Sequence, residues 1–144
     1  MQLYLGEQWN LNGPLQTPGH GLPSNHFDLI NSRFLVDGVD GGRWESLIAE
    51  YNALLKHKAW LQMAEVQWTF HSQSNHELPA LNVWSDAYHD ALRRMGKNPN
   101  VAAVELERNV RFAGFQQVDG KTYDIPVGEW RAGASNHTLL LTTQ

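Results

Sequence analysis

The chain has 144 residues, a hydrophobic fraction of 42% and a net charge of −4 from eleven basic and fifteen acidic side chains. That length supports one domain around one modest core, and that hydrophobic fraction excludes a disordered chain. The acidic balance works against a nucleic-acid role, no apolar run reaches membrane-spanning length, and the absence of cysteine excludes disulfides and thiolate chemistry.

In chain order, residues 1–25 hold four Gly and three Pro among polar residues and read as an N-terminal arm and loop. Leu3–Leu5 has the makings of a short strand, with Trp9–Leu11 as an extension. The folded domain is expected over 26–144. Phe27–Val36 is apolar and β-compatible, and reads as a buried strand. Asp37–Gly42 is a turn. Trp44, Leu47, Ile48, Tyr51, Leu54 and Leu55 repeat at helical spacing and predict an amphipathic helix over Arg43–Lys58. Trp60–Phe70 reads as a second strand, which makes a parallel crossover unit with the first. After a polar loop at Ser72–Glu77, Leu81, Trp84, Tyr88, Leu92 and Met95 predict the buried face of a second helix, stopped at Gly96. Asn98-Pro99 starts a third helix that runs to about Phe112 and ends at Gly114. Phe115–Val127 reads as a further extended segment and His137–Thr142 as a last strand. The expected fold class is α/β, with a short mixed sheet and flanking helices.

Two stretches within this pattern carry a resemblance. Phe27–Arg33 (FDLINSR) and Trp60–Glu65 (WLQMAE), separated by a helix, resemble the fourth and fifth strands of the fungal secondary-metabolite methyltransferases of class I, Rossmann-like fold. The later segments RRMGKNPNVA, FAGFQQV and YDIPVGEW are similar to the same family, so the resemblance runs from Leu22 to Trp130. It implies the carboxyl half of such a fold. The family binds S-adenosylmethionine through a glycine-rich turn after its first strand and a carboxylate after its second. The 26 residues before Phe27 contain no complete G-x-G-x-x-G, since Gly19-His20-Gly21 is followed by Ser24 where the third glycine would stand, and they are too few for three strands and two helices. The family's K-P-G-G turn is Lys56-His57-Lys58-Ala59 here, and the insertion before the last strand is reduced to Gly128–His137. The expectation is therefore a truncated methyltransferase-like fold that binds no cofactor and performs no methyl transfer by itself. Without its first three strands, the sheet is expected to present a bare apolar edge and a bare face. A homodimer, formed by sheet pairing or exchange of the N-terminal arm, would cover them.

Ligands of open α/β sheets sit at the carboxyl ends of the strands. That rule selects Asn31, Ser32 and Arg33 after the first strand, and Glu65, Gln67, Trp68 and His71 after the second. Arg33 is open to two roles, a salt bridge or helix cap, or a clamp on a ligand carbonyl or anion. Glu65 in an apolar strand is either hydrogen-bonded structurally or raised in pKa for acid–base work. Seven histidines offer proton transfer. His20, His26 and His76 flank loops, whereas His71 and His89 could face one cleft. His71, His76 and Glu77 match no metal signature by spacing, and no metal is expected. Trp60, Trp68, Trp84 and Tyr88 serve either as core or as the lining of an aromatic pocket. Ser32 and Ser72 stand in no nucleophile context.

Catalytic candidates are thus Arg33, Glu65, His71 and His89, and substrate-binding candidates Asn31, Gln67, Trp68, Trp84 and Tyr88. Relatives of the resembled family serve as cyclases and pericyclases. The resemblance therefore implies a cofactor-independent cyclase that folds a polyketide or alkaloid-type molecule in an aromatic pocket. Two rival readings are a non-catalytic partner of a full-length methyltransferase or synthase, and a methyltransferase completed by oligomerisation. The opening MQLYLGEQWNLNG lacks the shape of a signal peptide, so a cytoplasmic location is expected.

Overall fold

The computed structural model describes residues 8–17, 19–72 and 76–126. A two-residue hairpin, β1 (Gln16–Thr17) with β2 (His20–Gly21), precedes β3 (Phe27–Arg33), α1 (Trp44–Leu54), β4 (Leu55–Ala64), α2 (Pro79–Arg94) and α3 (Leu106–Phe112). A single 3₁₀ turn leads into α1 and a π-helical turn, Val101–Glu105, leads into α3. The described chain is a small mixed α/β domain with a two-stranded parallel sheet, β3 beside β4, and three helices. No described helix is long and apolar enough to cross a membrane.

The core is built on α1. Its stripe of Trp44, Leu47, Ile48, Tyr51 and Leu54 is buried, and Leu15, Val36, Val39 and Val101 close around it. Sheet residues Ile30, Leu61 and Met63 pack on this cluster from one side, and Leu106, Val110 and Phe115 add to it. The helical spacing of the apolar residues dictates this face, because burying it is the main favourable term in folding. The N-terminal loop is held to α1 by Arg43. Its guanidinium donates to the carbonyls of Leu11 and Gly13 at 3.0 and 2.9 Å, and pairs with Glu50 at 2.8 Å. Burial pushes the Glu50 carboxyl up. The hydrogen bond from Arg43, the Leu15 N–H and the Arg43 charge more than offset that, leaving it below its usual 4.5.

The helix stops at Leu54, short of the expected Lys58, and β4 follows without a loop. Continuous pairing runs from Leu29 opposite Trp60 to Arg33 opposite Ala64. Before that, the chain passes from Leu55 to Trp60 while β3 advances only from Phe27 to Leu29, so a bulge stands at Lys56–Ala59. Lys58 carries it with φ of 65°, the left-handed conformation that glycine adopts without strain. Lys58→Gly is expected to stabilise the protein by about 0.5–1 kcal/mol, because the relief of strain exceeds the added freedom of the unfolded chain. Thermal melting checks this, and a lower midpoint would mean that the lysine conformation is not strained.

Beyond Ala64 the structure departs from the expected strand Trp60–Phe70. Residues 65–70 leave the sheet, because β3 ends at Arg33 and offers nothing further to pair with. Phe34 turns the chain there with φ of 56°. The stop of α2 lies where Gly96 predicts it. Gly96 has φ of 75°, and the Lys97 N–H reaches back to the Leu92 carbonyl at 2.9 Å in a Schellman closure. The face of α2 differs from expectation. Ser85, His89 and Leu92 are buried, whereas Leu81, Trp84 and Met95 are exposed. The helix packs on the arm 65–70, against Trp68 and Phe70, and there the Ser85 hydroxyl finds the Trp68 carbonyl. Gly114, with φ of 97°, follows α3 as expected.

The expected extended segment from Phe115 forms no strand over 115–126. Arg111 donates to the Val118 carbonyl at 3.1 Å and holds this stretch along α3 instead. Trp9–Leu11 is likewise not a strand, while Leu3–Leu5 and His137–Thr142 lie outside the described residues.

Candidate functional site

The carboxyl ends of β3 and β4 lie side by side, and two groups of residues gather there. The first is a carboxylate clasp. Phe34 in the left-handed region turns the backbone so that the N–H groups of Leu35 and Val36 point the same way, and the Glu65 carboxylate accepts from them at 2.9 and 3.2 Å. Successive N–H groups after such a turn form a small anion-binding concavity. In this protein its occupant is the protein's own carboxylate. Burial raises the Glu65 pKa above its usual 4.5, the two N–H bonds pull it down by less, and the charge of Asp37 adds to the rise. Glu65 thus makes the structural hydrogen bonds expected of it, with its pKa raised by burial.

The second group is aromatic. Trp68, Phe70, Trp84 and Tyr88 pack ring against ring. Trp84 and Tyr88, one turn apart on α2, are parallel within 4° with centroids 5.4 Å apart. Trp68 stands edge-on to both, at 5.6 and 6.4 Å, and Phe70 meets Trp84 at 5.8 Å. Such edge and offset contacts are the favoured ones, because they set positive ring edges against negative faces. The cluster remains open to solvent, with Trp84 47% and Trp68 38% exposed. The Tyr88 hydroxyl donates to Asp37, which ties the cluster to the turn after β3. Burial, the hydrogen bond to Asp37 and the Asp37 charge push the Tyr88 phenol up to about 12, so it stays neutral and keeps donating.

The remaining candidates are dispersed. Arg33 donates through Nε to Asn31 at 2.9 Å, and Asn31 donates to Gln62 at 2.9 Å. By the strand register these three lie on the sheet face opposite the core, with Leu29 and Trp60. His71 is exposed and faces Asp124 at 3.4 Å. His89 is buried beside Tyr88, with ring centroids 5.9 Å apart. The structure thus gives the two histidines different surroundings. Gln67 is exposed on the arm, and its carbonyl accepts from the Thr69 N–H at 3.0 Å. Ser32 is buried in the sheet. Among the described residues no three His, Asp or Glu side chains are grouped as for a metal ion.

Sequence reasoning missed Phe34, Asp37, Phe70 and Ser85. A turn aspartate such as Asp37 gives no local sign of its partner, which is 51 positions away on α2. The only signal for Phe70 was its place in an aromatic-rich run. No family model, no curated protein and no solved structure matches this chain.

Proposed function

We propose that the chain is a Rossmann-like, methyltransferase-like half domain that works as a non-catalytic partner, closing its sheet against a second polypeptide. The observation that supports this reading is a face of the parallel sheet that is bare among the described residues. Parallel strands are ordinarily covered on both faces. Here Ile30, Leu61 and Met63 meet the core, while Leu29 and Trp60, paired on the other face, are 54% and 66% exposed. Beside them the Asn31–Gln62 amide pair and Arg33 supply polar groups that fix orientation. The simplest partner is a second copy of the chain, since a self-complementary patch produces a two-fold dimer. A full-length methyltransferase or a synthase would be recognised through the same face.

Light scattering at micromolar concentration is expected to give a dimer mass for the wild-type chain and a monomer mass for Trp60→Glu. Because Trp60 is exposed, its substitution should leave a dilute monomer's stability within about 0.5 kcal/mol. A wild-type chain that stays monomeric, or a Trp60→Glu chain that still dimerises through an unchanged contact, would remove the pairing.

A second reading, a cofactor-independent cyclase or pericyclase, is favoured by the aromatic cluster beside Glu65 and Asp37. Polyketide or alkaloid-type metabolites incubated with the protein would then yield an isomer of unchanged mass. Calorimetry separates both readings from a methyltransferase completed by oligomerisation, which alone requires tight binding of S-adenosylmethionine.

A further inference from the structure

Two independent features meet at Asp37. The first is the aromatic platform of Trp84 and Tyr88, whose rings are parallel within 4° and whose outer member is 47% exposed. The faces of such rings carry negative potential and attract cations. The second is a pair of carboxylates that have no cation beside them among the described residues. Arg43 is matched to Glu50, Lys56 to Asp28, Arg93 to Asp90, Lys97 to Asp40 and Arg111 to Glu107. Asp37 instead accepts from the Tyr88 hydroxyl, and Glu65 from two backbone N–H groups. Even Lys97, which anchors the same turn, gives its ammonium to the Gly38 carbonyl and to Asp40 at 2.7 and 2.6 Å. The neutral phenol of Tyr88 adds no positive charge.

We propose that the Trp84–Tyr88 platform and Asp37 together form a binding site for a planar aromatic cation. The flat ring stacks on the exposed part of Trp84. Its positive charge is attracted by the Asp37 carboxylate, which is tied to the platform through the Tyr88 hydroxyl. Trp68, edge-on to both rings and itself 38% exposed, forms the wall that orients the ligand. An anionic ligand meets repulsion from Asp37 and Glu65. A neutral ring keeps the stacking and loses the attraction. The site belongs to α2 and the turn after β3, and stands apart from the sheet face that pairing would cover.

Titration calorimetry of the full chain with N-methylquinolinium, quinoline and naphthalene-2-sulfonate tests this. The cation is expected to bind about fivefold or more tightly than quinoline, and the sulfonate more weakly than either. Asp37→Asn should abolish the preference for the cation while leaving quinoline binding unchanged, since an asparagine there still accepts the tyrosine O–H. Trp84→Ala should weaken both ring ligands about tenfold. Circular dichroism of each variant shows that the fold is retained, which the exposure of both residues favours. Equal affinity for the cation and quinoline, absence of binding by the wild type, or an undiminished preference in Asp37→Asn would each overturn the site. Because these ligands contain no reactive step and avoid the sheet face, their failure leaves the pairing and cyclase readings to their own tests.

Discussion

Trp44→Ala is expected to remove about 3–5 kcal/mol of stability, a large share of the about 5–15 kcal/mol typical of a whole domain. Trp44 is the first residue of α1 and is 1% exposed, at the centre of the cluster that joins Val36, Val39, Leu47, Ile48 and Val101. Truncation of Trp44 leaves a cavity between the helix start and the turn after β3. Its indole nitrogen has no hydrogen-bond partner among the described residues. A buried N–H without a partner costs about 1–3 kcal/mol. Trp44→Phe removes that N–H along with part of the ring, so its loss should be far smaller than that of the alanine variant. Chemical denaturation of the two variants checks this, and equal losses would show that the nitrogen has a partner after all.

Glu65→Ala is the second large effect, about 2–3 kcal/mol, because it strips the acceptor from the N–H groups of Leu35 and Val36 at once. Glu65→Gln keeps one acceptor oxygen and should lose about 1 kcal/mol. The pH dependence follows from the raised pKa of Glu65. The folded protein holds this proton more tightly than the unfolded chain does. The stabilisation linked to it is complete below the usual 4.5 and is lost as pH rises through the raised folded value. Glutamine cannot titrate. The wild-type advantage over Glu65→Gln should therefore be greatest near about pH 4 and shrink toward about pH 7. Glu50 acts in the opposite sense. Its lowered pKa contributes stability above 4.5 that is lost as pH falls through its folded value. The comparison must therefore be made between variants at each pH, not from the wild-type profile alone. An advantage that grows with pH would show that the two N–H bonds outweigh burial at Glu65.

The clasp also explains why the second strand ends at Ala64, short of the expected Phe70. Val66–Phe70 is apolar and aromatic enough to read as a strand, yet a strand needs a neighbour for its backbone. Phe34 diverts β3 at its end, and the side chain of Glu65 occupies the N–H groups that a longer ladder would have used. The freed arm then receives α2, turning Ser85 and His89 inward in place of Leu81 and Trp84. Periodicity alone marked α2 as a helix but not which of its faces would be buried.

The sequence by itself determined the unit of β3, α1 and β4. The helical stripe from Trp44 to Leu54, the β-compatible runs on either side, and the glycines after α2 and α3 are local signals, each set by backbone preference and apolar spacing. Only the tertiary structure decided which groups meet across the chain. Asp37 with Tyr88, Leu35 and Val36 with Glu65, and Ser85 with the Trp68 carbonyl are contacts made over long sequence separations, and no residue in such a pair carries a local mark of the other. The same holds for the bare sheet face. Alternation along β3 shows that Leu29 and Ile30 point opposite ways, but only the position of α1 decides that Ile30 is the one covered.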